Sequence, residues 1–100
     1  MNRATWKAVE RAIAKILGGQ RIPITGRAEI DIDHPWLAIE VKARHRLPQW
    51  IEKAMLHAET GPPHKLPIVV LHEEGRDHRN DLVMMRLGDF TAWFGDETNE

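Results

Sequence analysis

Cysteine is absent from the 100-residue chain, and so is serine. The first absence removes disulfides and thiolate metal ligands; the second removes a serine nucleophile. No apolar run approaches the roughly 20 residues needed to span a bilayer. Met1-Asn-Arg-Ala-Thr-Trp6 lacks a signal-type hydrophobic stretch. These absences predict a cytoplasmic protein with no membrane association. Neither charge is in excess, since 14 Lys and Arg oppose 15 Asp and Glu for a net charge of -1. The six histidines show no H-E-x-x-H or close paired spacing, so they are expected in turns and at the surface. Gly18-Gly19 is too short to cradle a phosphate, and no organic cofactor is expected.

What is present is enough for one folded domain over residues 1–95, followed by an acidic tail at 96–100. Trp6, Val9, Ile13, Ile16 and Leu17 recur with helical period, predicting a helix over 5–17 that stops at Gly18-Gly19. Residues 27–33 and 37–44 alternate between aliphatic and charged or small side chains, the mark of half-buried strands. Asp33-His-Pro-Trp36 is a turn between them, and the two form a hairpin. A second helix is expected over 47–58, with Pro48 in its first turn and Gly61-Pro-Pro63 beyond its end. Leu66–Leu71 reads as a central strand covered on both faces. Leu82–Leu87 is the next strand, and 87–94 a short closing helix. The order α-β-β-α-β-β-α predicts an α/β domain with a mixed sheet flanked by helices.

Charge is unevenly distributed: residues 1–65 carry 11 Lys and Arg against 7 acids, and residues 66–100 carry 3 against 8. Lys42-Ala-Arg44-His45-Arg46, with Arg21 and Arg27, forms a basic set suited to phosphates. Ordinary solvated surface charge is the plain alternative.

The hairpin carries the chemistry. Glu40 and Lys42 share one face of a strand, and a short turn brings Asp31 opposite the neighbourhood of Glu40. Facing side chains stand about 4.5–5.5 Å apart at Cβ. Two carboxylates so close repel unless a cation lies between them, and Mg²⁺ or Mn²⁺ prefers oxygen ligands of this kind. Such an ion activates water and polarises a phosphoryl oxygen, while Lys42 stabilises developing negative charge. A salt-bridge ladder on an exposed hairpin is the competing reading.

These residues resemble the PD-(D/E)XK nuclease superfamily, with its restriction-endonuclease-like fold. The similarity is to the small phage and archaeal members that resemble Holliday junction resolvases. It rests on Glu10-Arg11, Gly18-Gly-Gln-Arg21, Asp31-Ile-Asp-His-Pro35, Ile39-Glu-Val-Lys-Ala-Arg44 and Leu47-Pro-Gln-Trp50, between about Trp6 and Leu87. The resemblance implies that Asp31 and Glu40 bind metal with the carbonyl of Val41. It also implies that Lys42 is the catalytic lysine and Glu10 an additional acid. Ile30 departs from the proline that often precedes the first acid, and Asp33 competes with Asp31 for the ligand role. Gln49 and His57 are alternatives for a further polar group on the following helix.

The expected activity is Mg²⁺-dependent DNA endonuclease action, structure-specific and resolvase-like, in bacterial, archaeal or phage-infected cells. DNA is the expected partner, most naturally a four-way or other branched junction. Two incisions per junction imply a homodimer, with residues 82–87 or Phe90, Trp93 and Phe94 at its interface. A nicking or repair nuclease without junction preference, or a non-catalytic DNA-binding subunit of the same fold, are the rival expectations.

Overall fold

Arg3–Leu17 form the first helix, α1, starting two residues before the expected boundary. The computed structural model describes residues 3–21 and 32–95. Arg27 and Asp31, and most of the strand expected over 27–33, lie outside the described residues. The chain divides into two compact units, Met1–Arg46 and Leu47–Glu100. By sequence the first holds nine Lys and Arg against five acids, and the second five against ten.

In the first unit, α1 buries a stripe rotated from the expected one. Ala14 is buried and Val9, Glu10, Ile13 and Leu17 are half-buried, whereas Trp6 and Ile16 are exposed. The helix ends as its Gly-Gly sequence predicts. Gly18 takes a φ of 77°, which costs a residue with a Cβ about 1–2 kcal/mol. Gly19 N–H donates to the Ala14 carbonyl at 2.8 Å and Gly18 N–H to the Lys15 carbonyl at 3.4 Å, the paired bonds of a Schellman cap. Gly19 has a second reason to be glycine, because a Cβ there would lie 2.5 Å from the Asp33 carbonyl oxygen and 2.7 Å from Ile32 Cγ2.

That close approach admits two short antiparallel strands, β1 (Gln20–Arg21) and β2 (Ile32–Asp33), with Gln20 facing Asp33 and Arg21 facing Ile32. Ile32 also bridges Ile39 in antiparallel sense. The predicted strand over 37–44 is therefore reduced to one bridge among the described residues. Its side chains still alternate without exception, from half-buried Leu37 to exposed Arg44. Asp33 is the second residue of β2, so it precedes the turn it was expected to enter. His34 fastens that turn. Its Nδ1 accepts from the N–H groups of Trp36 and Leu37, both at 3.2 Å, and its Nε2–H donates to the Leu17 carbonyl at 2.8 Å. A side chain in the turn thus closes one of the open carbonyls of α1.

In the second unit, α2 spans Gln49–Ala58 and follows Pro48. Met55 is buried and Ile51, Ala54 and Ala58 are half-buried, while Leu47 and Trp50 of the expected stripe are exposed. Strands β3 (Val69–Leu71) and β4 (Leu82–Met84) pair antiparallel, with Val70 facing Val83 and Leu71 facing Leu82. A 3₁₀ turn, His78–Asn80, sits in the loop between them. Helix α3 covers Leu87–Phe94, as expected. Strand β3 is not the expected central strand: among the described residues its sheet has two strands, and Val70 is 54% exposed. The described residues form a small mixed α/β protein with three helices and two small antiparallel sheets. The first pair of strands is not the expected hairpin of 27–33 with 37–44, and in place of one mixed sheet the described residues form two hairpin-like pairs.

Arg86, just before α3, grips two acids of α2 and its end. Its Nη2 donates to Glu52 Oε1 at 2.6 Å and its Nε to Glu59 Oε2 at 2.8 Å. The hydrogen bond from Arg86 lowers the affinity of the Glu59 carboxyl for protons below its usual 4.5. Asp77 is lowered from 3.8, first by the backbone N–H of Arg79 and then by its side chain. Both carboxylates hold protons less tightly folded than unfolded, so their stabilisation is complete above the ordinary carboxyl range. It is lost as pH falls through the lowered folded values. Urea midpoints should therefore decline below about pH 4.5, the usual value for Glu59, and more gently in Arg86→Gln. Parallel acid profiles for the two proteins would show that the Arg86 fork contributes nothing.

Candidate active site

Glu10, Glu40, Val41, Lys42 and Arg44 line one cavity of about 190 Å³ in the first unit, together with Trp6 and Ala43. Two elements build it. Helix α1 supplies Trp6 and Glu10 one turn apart, and the extended run after the Ile39 bridge supplies residues 40–44. Alternation along that run leaves Val41 and Ala43 half-buried while Glu40, Lys42 and Arg44 are exposed.

Glu10 is the most enclosed acid of the set, its side chain 19% exposed. Arg21 Nε donates to its Oε2 at 2.5 Å. A charge-assisted bond of this kind is about twice as strong as a neutral one, and it links α1 to β1. Arg21, expected to meet phosphate, has this intramolecular role, and Glu10 is held by a residue eleven positions away. Lys42 Nζ lies 3.2 Å from Glu40 Oε1, with side chains 67% and 51% exposed. That pair is solvated and contributes little to stability. It nevertheless keeps an ammonium and a carboxylate side by side at the cavity. Arg44 donates from Nη1 to the Ala43 carbonyl at 3.0 Å, and His45 and Arg46 are exposed.

The cavity therefore joins Glu10, Glu40, Val41 and Lys42 of the predicted site. Asp31 and Arg27 lie outside the described residues, and Asp33 does not line the cavity. Gln49 and His57 belong to α2 in the second unit.

Sequence spacing missed a different cluster. His72 Nδ1 and His78 Nδ1 lie 2.7 and 3.0 Å from the two oxygens of Asp81. The signal was present only in the hairpin register: with Leu71 facing Leu82, positions 72 and 81 are the next to meet. The 3₁₀ turn then returns His78 to the same place, three residues before Asp81.

No protein-family model matches the chain, and no curated protein or solved structure is detectably similar to it.

Proposed function

We propose that the chain is a Mg²⁺- or Mn²⁺-dependent DNA endonuclease that acts on branched DNA, with a four-way junction as its preferred substrate. The observation that carries this reading is the shared cavity of Glu10, Glu40, Val41 and Lys42. Those four come from two separate stretches of sequence, helix α1 and the extended run at 40–44. The reading also requires Asp31, which lies outside the described residues, as a metal ligand beside Glu40. A restriction-endonuclease-like core is part of the same proposal.

The donors at the cavity are carboxylate and carbonyl oxygens, which suit a hard divalent cation. Glu40 and the carbonyl of Val41 would hold it with Asp31. When bound, it would supply an activated water and a polarised phosphoryl oxygen. The chain's own groups do the rest. Lys42 sets a positive charge where negative charge gathers on the phosphoryl oxygens. Glu10, held by Arg21, adds an acid from α1, and Arg44, His45 and Arg46 offer cations to the flanking backbone. A second copy of the chain would supply the second incision. Val70 and Val83, facing each other in the β3–β4 pair and 54% and 59% exposed, offer an apolar surface for that contact.

Incubation with labelled four-way junction and linear duplex, in Mg²⁺ or in EDTA, tests the reading. Paired incisions in the junction are expected with Mg²⁺ and none with EDTA. Equal cutting of both substrates would point to a nicking or repair nuclease. No cutting of either substrate in Mg²⁺, with no heat of Mg²⁺ binding by calorimetry, would leave only a non-catalytic subunit.

A further inference from the structure

We propose that His72, His78 and Asp81 form a binding site for a zinc-like divalent transition metal, which clips the loop between β3 and β4. The three residues each present a ligand atom, and these atoms lie within 4.8 Å of one another. Zinc holds nitrogen and oxygen ligands about 2.0–2.2 Å away in a tetrahedron, which separates any two of them by about 3.3 Å. The imidazole nitrogens stand 2.7 and 3.0 Å from different oxygens of Asp81, and the three ligand atoms lie within 4.8 Å of one another, so closing on one ion asks for side-chain movements of up to about 1.5 Å. Two nitrogens and an oxygen suit zinc and its neighbours, whereas Mg²⁺ and Ca²⁺ favour oxygen alone. This site is separate in chemistry and in sequence from the cavity around Lys42.

The setting favours an ion over a chance contact of surface side chains. The Asp81 side chain is only 12% exposed, yet both of its oxygens turn to imidazoles. The rings are 4.4 Å apart between centroids and inclined by 31°, so their Nδ1 atoms converge on one carboxylate. Nearby cations are engaged elsewhere: Arg79 pairs with Asp77 and Arg76 with Glu73. A neutral imidazole carries one N–H. As the metal takes Nδ1, that proton moves to Nε2, and no net proton need be lost. Three protein ligands leave a fourth tetrahedral position for water. Beside His72 and Asp81 lies a recess of about 200 Å³ that also includes Glu73, Arg76 and Asn80, which gives that water room.

The benefit follows from loop closure. Residues 72–81 join two strands of three residues each, and an ion shared by both ends and the 3₁₀ turn would restrict that loop at several points. Metal that binds the folded chain in preference to the unfolded one raises its stability in proportion to the logarithm of its concentration.

Calorimetric titration of the full chain with ZnCl₂, and Co²⁺ absorption spectra, test the site. Wild type is expected to bind one Zn²⁺ per chain, to give the visible bands of tetrahedral Co²⁺, and to melt later as zinc is added. His78→Gln alters a side chain that is 83% exposed, so folding should be kept. It should weaken zinc by more than about tenfold, beyond the least that losing an outer-shell partner costs, and abolish the zinc-dependent melting shift. His57→Gln, on the exposed face of α2, should bind as wild type does. Octahedral Co²⁺ spectra, absence of zinc binding, or equal affinity in wild type and His78→Gln would each overturn the proposal. So would a loss in His57→Gln as large as in His78→Gln.

Discussion

Lys42→Ala should cut junction DNA about 10²–10³-fold more slowly than wild type, the usual loss when a transition-state charge partner is removed. Its melting should scarcely change. The lysine is two-thirds exposed and its ion pair with Glu40 spans 3.2 Å in solvent. Such pairs are worth about 0–1 kcal/mol, so stability is not the route by which the variant would fail. Single-turnover rates at saturating protein separate the chemical step from DNA binding. Lys42→Arg adds a sharper requirement: it keeps the charge but replaces a compact ammonium with a planar fork. If Lys42 acts on the reacting phosphate, arginine should restore affinity for the junction without restoring rate. Equal rates in wild type and Lys42→Ala would remove Lys42 from the chemistry, and with it the strongest reason to read the cavity as an active site.

Glu10 behaves differently because its environment is different. It is enclosed and bound to Arg21 at 2.5 Å, so its removal would leave a half-buried guanidinium without that partner, a costly outcome. A variant at Glu10 therefore mixes loss of an acid with loss of the link between α1 and β1. Lys42 gives the cleaner reading of the proposed chemistry.

Much of this arrangement was legible in the sequence where local physics decides it. The Gly18-Gly19 stop needed only a residue able to take positive φ. The alternation over 37–44 survives intact in burial, because Ile39 has Ile32 to pack against even where the hydrogen-bonded ladder is a single bridge. The helix over 87–94 is carried by its apolar spacing, and Phe90 and Phe94, four residues apart, bring their rings to 5.3 Å. What stayed hidden depended on partners distant in sequence. Gln20-Arg21 is polar and two residues long, with no periodicity to mark it as a strand. Its pairing with Ile32-Asp33 exists because Gly19 lets the backbones approach. The continuous run Leu66–Leu71 suggested cover on both faces, but its only strand partner among the described residues is β4. The same limit applies to the chemical groups. Glu40-x-Lys42 is a local pattern and was visible, whereas His72 and His78 meet at Asp81 only through a hairpin register and a 3₁₀ turn.

Ile32→Ala should destabilise the first unit more than any other single truncation among the described residues. Among the described residues Ile32 is the one large side chain with no exposure at all. It faces Arg21 in β1, bridges Ile39, and lies against the Gly19 backbone. Cutting it to alanine deletes buried carbons and leaves a void, a change that costs about 2–5 kcal/mol in well-packed cores. Whole domains are stable by only about 5–15 kcal/mol, and the other buried residue described in this unit is Ala14. There is little else to absorb the loss. Amide hydrogen exchange should show protection falling together along α1 and at Gln20-Arg21, while β3 and β4 keep theirs. Ile32→Val, which removes one methyl, should cost only about 0.5–1.5 kcal/mol and retain most protection. Because Glu10 is aligned through Arg21, and Arg21 through its pairing with Ile32, junction cleavage should fall in Ile32→Ala even though that residue touches no part of the cavity. Unchanged protection along α1 would mean that the helix does not depend on the β1–β2 pair, and the link from core to Glu10 would fail.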